Sequence, residues 1–367
     1  MIEDYAWIAL ALAVFPAVIG AINLRLVRDP QGRVPEGTLV SILIPARNEA
    51  ANIADCLNHA LGQTGVAVEV VVMDDGSTDG TAEIVRGLAA RGPRLRLIAA
   101  PALPEGWSGK MHACARLAEA AKGTHFLFID ADVRLDPHAA AALAGHAAAH
   151  RLALVSGVPR QRMLTWGEGV TVPMINLLLI GYLPGGGRAF TKHPGLAAGC
   201  GQMMLFERRA YEAVGGHGAV RTTLHDGLKL TRRLRAEGHR TEIVLGANVA
   251  RCRMYADFGE AWRGFLKNAR EGMATPIGLP VWTVVLAGAH LWPFFLLPAW
   301  QAAMALAMGF ALRMAITKRT GEPSWTILLH PVAVAVALAI QWTALVRFLM
   351  GRKEGWKGRA YAAPEAP

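Results

Sequence analysis

Apolar residues are concentrated at the two ends of the chain. Residues 6–27 are almost wholly apolar, and residues 277–299 and 326–350 form two further apolar segments. A helix that spans a bilayer needs roughly 20 such residues, so each of these segments is long enough to span. The segment 302–316 is shorter than these and contains Arg313. It is therefore either a third C-terminal span or an interfacial helix.

These segments predict membrane anchoring at both ends. We predict an N-terminal transmembrane anchor at 1–28, a C-terminal transmembrane region at 276–350 and a basic tail at 351–367. The residues before the first segment are acidic and those after it are basic, unlike the start of a cleavable signal peptide. We therefore expect a multi-pass protein of the cytoplasmic (inner) membrane, with residues 38–274 in the cytoplasm. A buried core helix is the alternative for the first segment.

The middle of the chain, residues 38–274, alternates between strand and helix patterns. Five apolar runs rich in β-branched residues predict buried strands: TLVSILIPA, VEVVVMDD, RLRLIAA, THFLFIDAD and LALVSGVPR. Helical patterns separate the first four runs, so we predict an α/β domain with a parallel sheet and right-handed crossovers. Towards its end, residues 258–273 place apolar side chains at helical spacing and predict an amphipathic interfacial helix.

Composition and charge narrow the choice of partners. The formal net charge is +10, yet no dense Lys/Arg block interleaved with aromatic residues is present, so we expect no nucleic-acid partner. Much of the positive charge flanks the apolar segments, which suits the cytoplasmic face of a membrane. The four cysteines are widely spaced and form no C-x-x-C pair, so neither a zinc site nor a disulfide framework is expected.

Two of the predicted strands end in acidic residues. Asp74 and Asp75 follow one strand, and Asp130 and Asp132 follow another. The carboxyl ends of parallel strands share one rim of a sheet, where ligands bind. Clustered carboxylates repel one another, and a divalent cation that holds a diphosphate would relieve this repulsion; oxygen ligands suit Mg²⁺ or Mn²⁺. The alternative is that the acids only end a strand and cap a helix.

These motifs together resemble the family 2 inverting glycosyltransferases. The resemblance rests on LVSILIPARNE (39–49), DDGSTDGT (74–81) and DAD (130–132), and extends from about residue 39 to about residue 274. It implies a GT-A fold, a Rossmann-like domain that binds a nucleotide-diphospho-sugar, with transmembrane helices at both ends in this chain. It also implies a glycosyltransferase that depends on Mg²⁺ or Mn²⁺ and uses a nucleotide-sugar donor, with a UDP-sugar as the expectation.

The resemblance assigns roles to residues on the donor side. Asp75 would contact the base, Asp74 would help to shape the nucleotide pocket, Asp130 would face the ribose, and Asp132 would bind the metal and the diphosphate. Basic residues would stabilise the phosphate charge. The further residues implied on this side are Pro45, Arg47 and Glu49 for the nucleotide pocket and Lys110 and Arg270 for the diphosphate. A solvated Lys110 and a headgroup-facing Arg270 are the alternatives.

The catalytic base implied by the resemblance is Asp226. An inverting transfer needs one carboxylate to deprotonate the incoming hydroxyl. The family has an acidic pair at this position, and His225 replaces the first acid here, so the role of His225 stays open. The alternative for Asp226 is an N-cap of the following helix. On the acceptor side the implied residues are Gly199, Gln202 and Trp107.

A narrower resemblance concerns the acceptor. GWSGKMHA, GCGQMM, FLKNAREGM and WKGRAY resemble membrane glycosyltransferases of carotenoid and hopanoid pathways and, more distantly, ceramide glucosyltransferases. This implies transfer to a hydroxylated lipid in glycolipid biosynthesis. A polyisoprenyl-phosphate acceptor, which would give a lipid-linked sugar carrier, is an open alternative. A non-catalytic membrane scaffold is a further one, disfavoured because both acidic pairs and the base are present.

Overall fold

The computed structural model describes residues 2–187, 190–352, 354–356 and 359–361. The strands are β1 (Leu39–Ala46), β2 (Ala67–Asp74), β3 (Leu95–Ala99), β4 (His125–Ile129), β5 (Val133–Leu135), β6 (Leu154–Gly157), β7 (Arg160–Gln161), β8 (Met203–Glu207), β9 (Thr241–Val244), β10 (Ala250–Cys252), β11 (Glu354–Trp356) and β12 (Arg359–Tyr361).

The α-helices are α1 (Ile2–Leu26), α2 (Ile53–Leu61), α3 (Thr81–Ala89), α4 (Gly109–Ala120), α5 (Ala139–His150), α6 (Trp166–Gly169), α7 (Met174–Asn176), α8 (Arg208–Ala213), α9 (Asp226–Ala236), α10 (Phe258–Ala269), α11 (Gly278–His290), α12 (Trp300–Thr320) and α13 (His330–Leu349). A π-helix follows α7 at Leu177–Tyr182. Short 3₁₀ segments include Gly216–Val220 and Trp292–Leu296.

The chain forms two compact units. An α/β unit contains residues 27–160 and 187–253, and a helical unit contains residues up to 26, residues 161–186 and the residues from 254 onward. Residues 161–186 and 254–274, which the predicted domain over 38–274 included, belong to the helical unit.

The α/β unit is built on a seven-stranded sheet. Its strand order is β3-β2-β1-β4-β8-β6-β9, and β8 runs antiparallel to both of its neighbours. The five predicted strands, β1 to β4 and β6, are parallel to one another as predicted, and the sheet is mixed because β8, which we did not predict, runs in the opposite direction. Strand β1 is parallel to β2 and to β4. The acid-bearing carboxyl ends of β2 and β4 therefore lie at the same rim, as predicted.

The core of the sheet explains the continuous apolar runs in the sequence. Val40, Ile42, Leu43 and Ile44 of β1 all have completely buried side chains. A central strand covered by helices on both faces has no solvent-facing side, so it shows no alternation of apolar and polar residues. This burial holds β1 and β4 rigidly and fixes the positions of the loops at their carboxyl ends.

Helix α1 of the helical unit buries small residues and exposes large ones. Its buried positions are Ala6, Ala9, Ala13, Pro16, Gly20 and Asn23, whereas its exposed large side chains include Trp7, Ile8, Val14, Phe15, Val18 and Ile22. A side chain on Gly20 would overlap Leu312 of α12, so these two helices pack closely. Small residues at helix contacts with large apolar residues facing outward are typical of helices in lipid.

Helices α1 and α12 are parallel to each other. Trp7 packs edge-on against Trp300, with ring centroids 5.3 Å apart, and Gly20 lies against Leu312. Helix α11 is antiparallel to α1, because Tyr5 contacts Trp292 just beyond the end of α11.

Helix α13 is antiparallel to α11 in turn. Trp342 donates a hydrogen bond of 2.9 Å to Thr283, and His330 at the start of α13 contacts His290 at the end of α11. Helices α1, α12 and α13 therefore share one direction, and basic residues stand in the last turn of each: Arg25, Lys318, Arg319 and Arg347.

Of the helices that the structure describes, two are long and apolar enough to cross a membrane, Ile2–Leu26 and His330–Leu349. Residues 277–299 are not one such helix, which corrects our prediction, because α11 ends at His290 after 13 residues. At about 1.5 Å per residue such a helix is roughly 20 Å long, less than the roughly 30 Å of a bilayer core. The segment predicted at 302–316 belongs to the 21-residue helix α12.

Candidate active site

The loops after β1 and β2 are joined to each other by hydrogen bonds. The backbone N–H of Asn48 donates to Ser77 Oγ and the N–H of Thr78 donates to Asn48 Oδ1, each at 2.9 Å. Asn48 adopts a left-handed conformation with φ 53°, which asparagine tolerates better than most residues. Arg47 donates to the carbonyl oxygen of the buried Asp75. The predicted nucleotide-pocket residues after β1 and β2 thus form one ordered rim.

Two of the acids in this rim hold the loop itself. Asp74 accepts hydrogen bonds from the N–H of Ser77, and Asp79 accepts from the N–H and hydroxyl of Thr81. The hydrogen bond from the Thr81 hydroxyl is the main reason that the pKa of Asp79 lies below its usual value. Asp74 therefore acts as a turn residue, as the structural alternative predicted, and its contact with a nucleotide stays a prediction.

Asp130 and Asp132 follow β4 directly. Asp132 has a buried Oδ1 that accepts no hydrogen bond from any residue in the described ranges. Burial, the neighbouring Asp130 and Glu49 raise the pKa of Asp132 to about 7. A hydrogen bond with Cys252 and the charge of Lys110 lower this pKa but do not offset the burial and the neighbouring acids, so Asp132 is the residue of this rim whose environment most favours a bound cation.

The chemistry of this rim fits Mg²⁺ or Mn²⁺ held partly by a substrate. Among the residues that the structure describes, no group of three or more His, Cys, Asp or Glu side chains forms a complete metal site. Mg²⁺ is commonly held by one or two carboxylates together with substrate phosphates. Asp132, whose buried Oδ1 accepts no hydrogen bond from the part of the chain that the structure describes, would be one such carboxylate.

Lys110 connects the two acidic groups of the candidate site. It stands in the first turn of α4, whose N-cap is the Ser108 side chain. Its Nζ lies 2.7 Å from Asp130 Oδ1, 3.4 Å from Asp226 Oδ2 and 3.2 Å from the carbonyl oxygen of Gly201. About a third of the side chain is exposed. The alternative of a solvated surface lysine is wrong, because three oxygens surround the ammonium group.

Asp226 is the first residue of α9 and is almost completely buried. The N-cap of α9 is His225, whose ring accepts a hydrogen bond from the N–H of Leu228. The alternative of an N-cap role for Asp226 is therefore wrong by one residue, and His225 has that structural task. Burial alone would raise the pKa of Asp226, but the Lys110 ammonium and the nearby His217 hold this pKa well below its usual range.

Glycines let the loop 199–201 lie directly on the start of α9. A Cβ on Gly201 would stand 2.3 Å from Asp226 Oδ1, and one on Gly199 would stand 2.5 Å from the carbonyl oxygen of Gly227. At Gly199 and Gly201 the backbone therefore closely approaches another part of the protein. The contact of Gly199 with an acceptor stays a prediction.

The remaining predicted residues occupy different surroundings. Gln202 is buried and its amide donates to Cys252 Sγ at 3.2 Å. Trp107 packs edge-on against His112, with ring centroids 5.5 Å apart. Arg270 belongs to the helical unit, where its guanidinium lies 3.6 Å from the ring centroid of Phe348. Their roles in binding stay predictions.

His217 is a candidate functional residue that sequence reasoning missed. Its side chain is completely buried and its Nε2 lies 3.8 Å from Asp226 Oδ2. Burial lowers the pKa of the ring below its usual value, although Asp226 opposes this shift. Nine positions separate the two residues along the chain, and no spacing rule links them, so only the pair of glycines before His217 could have drawn attention to it.

Comparisons with known proteins agree with the fold. Residues 41–215 match the family model described as Glycosyl transferase family 2. This segment is therefore similar to glycosyltransferase family 2 domains. The structure is similar to a mannosyltransferase from Pyrobaculum calidifontis, solved in complex with GDP-Man and Mn²⁺, with a TM-score of 0.58, 22% identity and coverage of 95% of this chain and 99% of that one. This likeness shows that the fold is GT-A, as predicted.

Curated relatives of the family 2 domain match over shorter segments. A hyaluronan synthase from Pasteurella multocida is 40% identical over 108 residues, which are 29% of this chain and 10% of that protein. A 4,4'-diaponeurosporenoate glycosyltransferase from Staphylococcus aureus is 40% identical over 95 residues, which are 26% of this chain and 24% of that protein. The chain thus spans a quarter or less of the length of these relatives.

Proposed function

We propose that this protein is a membrane-associated inverting glycosyltransferase that transfers a sugar from a nucleotide-sugar donor to a hydroxylated lipid. The observation that carries the proposal is the position of Lys110, whose ammonium group lies between Asp130 and Asp226. Asp130 is expected to face the donor, and Asp226 is expected to act as the base. The single side chain of Lys110 contacts both acids, so they lie close to each other. A donor diphosphate and an acceptor hydroxyl need this juxtaposition.

The reaction is a single displacement at the anomeric carbon. Asp226 takes the proton of the acceptor hydroxyl, the acceptor oxygen bonds to the anomeric carbon, and the bond from that carbon to the diphosphate breaks. The nucleoside diphosphate leaves with the electron pair. A divalent cation held by Asp132 would neutralise charge on the leaving diphosphate.

Lys110 links donor binding to the strength of the base. In this structure its positive charge stabilises the ionised form of Asp226, which makes Asp226 a weak proton acceptor. A diphosphate attracts the same ammonium group. When Lys110 turns towards the diphosphate, Asp226 loses this stabilisation and its pKa rises, so the base becomes effective after the donor has bound.

The helical unit supports membrane association of the enzyme. Its helices expose large apolar side chains and pack through small ones, as helices in lipid do. Tyr5, Trp7, Trp292 and Trp300 gather at the start of α1, and aromatic residues favour the membrane interface. The three parallel helices end in basic residues, so we propose that these ends and the α/β unit face the cytoplasm.

A lipid acceptor follows from this location. A hydroxylated lipid is concentrated in the bilayer that holds the enzyme, which raises its encounter frequency and orients its hydroxyl. The Staphylococcus aureus relative is a 4,4'-diaponeurosporenoate glycosyltransferase, which supports an apolar acceptor for this chain.

The decisive experiment uses the full chain in nanodiscs with Mn²⁺ or Mg²⁺, a panel of UDP- and GDP-sugars, and lipids extracted from the native membrane. Mass spectrometry should detect one lipid that gains a single sugar, together with free nucleoside diphosphate. Asp226→Asn is the matched control, because it removes the base and preserves the shape of the side chain. A product on polyisoprenyl phosphate would replace the acceptor in this proposal, and metal-dependent nucleotide binding without any product would contradict transfer to these lipids.

A further inference from the structure

The surroundings of His217 are built in a way that fixes the direction of its ring. The two glycines before it, Gly215 and Gly216, have φ angles of 77° and 49°, in the left-handed region that favours glycine. A Cβ on Gly216 would stand 2.4 Å from the ring of Tyr211, so the backbone lies directly on that ring. This turn directs His217 into the core, where Phe128 packs against it with ring centroids 4.6 Å apart.

Tyr211 determines which nitrogen of His217 carries the proton. The backbone N–H of His217 donates to the Tyr211 hydroxyl oxygen at 3.1 Å, and this hydroxyl lies 2.8 Å from His217 Nδ1. The hydroxyl oxygen already accepts from the backbone, and in the described part of the chain Nδ1 is the acceptor within reach of its hydrogen. Tyr211 therefore donates to Nδ1, and the proton of the neutral ring resides on Nε2.

The protonated nitrogen faces Asp226. Nε2 and Asp226 Oδ2 are 3.8 Å apart, which is longer than a hydrogen bond. Neither Nε2 nor Oδ2 has a hydrogen-bond partner within the described ranges, and both are buried. Catalytic hydrogen bonds are often long in the ligand-free state and shorten in the reactive complex. The arrangement Tyr211–His217–Asp226 thus places the Nε2 donor beside Oδ2 of the base, on the oxygen that also lies 3.4 Å from Lys110 Nζ.

We propose that His217, held by Tyr211 as the Nε2–H tautomer, is a positioning residue that orients the carboxylate of Asp226 for proton abstraction. His217 exchanges no proton in the reaction, and its N–H holds Oδ2 so that the carboxylate keeps one orientation. This inference rests on the proposed function, in which Asp226 is the base. The charged and titratable groups around Asp226 include Lys110 and Cys114 of α4, His225 next to it in the chain, His217, Tyr211 and Cys200.

The test compares one variant of His217 that lacks a hydrogen-bond donor at the position of Nε2 with another that retains one. His217→Phe keeps an aromatic ring against Phe128 but has no donor, whereas the amide of His217→Gln can place an N–H near the position of Nε2. We expect His217→Phe to lower kcat by about 10- to 100-fold, as expected for losing a hydrogen bond to a charged group, with little change in KM for the donor. His217→Gln should restore a large part of the loss. His125→Phe is the matched control, because His125 begins β4 and so lies at the end of this strand away from the candidate site.

A second measurement does not depend on activity. Magic-angle-spinning NMR of the full chain in nanodiscs, with ¹⁵N-labelled histidine, reports which ring nitrogen is protonated, and the difference from His217→Phe identifies the signal. An Nε2–H ring that changes tautomer in Tyr211→Phe is the expected result. A ring protonated at Nδ1 in the wild type would overturn the proposal, even if His217→Phe failed to fold.

The outcomes separate this proposal from the proposed function. If the wild type forms product, Asp226→Asn forms none and His217→Phe retains the wild-type kcat, then only the role of His217 is wrong. If Asp226→Asn retains wild-type transfer, the proposed function is wrong in its choice of base, and the positioning role of His217 is wrong with it.

Discussion

The substitution Gly201→Ala should displace the carboxylate of the proposed base, Asp226, without changing its chemical identity. The new Cβ would stand 2.3 Å from Asp226 Oδ1 and 3.1 Å from Asp226 Cγ, and contacts below 3.0 Å are essentially never seen. Ordinary contact begins at 3.4 Å, so the carboxylate oxygen must move by about 1 Å. Oδ1 also accepts a hydrogen bond of 2.8 Å from the N–H of Gly227, which this movement would disturb.

The size of the effect follows from this displacement. A misplacement of about 1 Å at a reacting group costs roughly 100-fold in rate, or about 2.7 kcal/mol of activation free energy. Overpacking costs typically about 1–3 kcal/mol of folding free energy, so a fall in Tm is expected as well. We expect kcat to fall by about two orders of magnitude while the Kd for the nucleotide-sugar changes by less than about threefold, because the nearest neighbours of the new Cβ belong to Asp226 and the carbonyl oxygen of residue 201 remains available to Lys110.

The assay measures initial rates of nucleoside diphosphate release with saturating lipid, donor binding by calorimetry, and Tm for each variant. Gly87→Ala is the matched control, since Gly87 is exposed on α3 and a Cβ there meets no atom within 4 Å. This control should keep the wild-type kcat. A Gly201→Ala enzyme that folds and turns over at the wild-type rate would refute the placement of the base at Asp226.

Three further predictions follow from the site. Asp226→Asn should abolish transfer and leave donor binding intact, as measured by turnover and calorimetry; transfer by this variant would exclude Asp226 as the base. Lys110→Met should weaken donor binding by about tenfold, a value kept small because Lys110 is a third exposed, and an unchanged Kd would contradict its contact with the diphosphate. Since the pKa of Asp132 is raised to about 7, the folded metal-free chain keeps a proton that the unfolded chain releases near pH 4. This residue should therefore lower the free energy of unfolding as the pH rises from about 4 to about 7; Asp132→Asn should show a smaller fall in Tm over that range, and Mn²⁺ should raise the Tm of the wild type alone.

The sequence by itself determined the α/β class, the strands that carry the acids, and the shared rim. These features depend on local patterns, because a strand buried on both faces is apolar throughout and the acids follow it directly. The motifs at 39–49, 74–81 and 130–132 were sufficient to indicate the family 2 domain. Apolar composition also indicated α1 and α13 as helices long enough to span a bilayer.

Tertiary structure decided the direction of β8, the ends of the C-terminal helices and the partners of each acid. Strand β8 is as apolar as its neighbours, so its burial pattern carries no information about direction. Lys110 reaches Asp130 and Asp226 because α4 and α9 are placed by the sheet, and these contacts join residues that are 20 and 116 positions apart. No local pattern encodes such distances.

The same reason explains why His217 escaped notice and why Asp226 was mistaken for a possible cap. A buried histidine beside two glycines looks like a turn in sequence, and only the fold brings its Nε2 to 3.8 Å from a buried carboxylate. The cap differs by one position because His225, and not Asp226, accepts the hydrogen bond at the start of α9. The sequence determines which side chains are able to react, and the packing of the fold determines which of them come into contact.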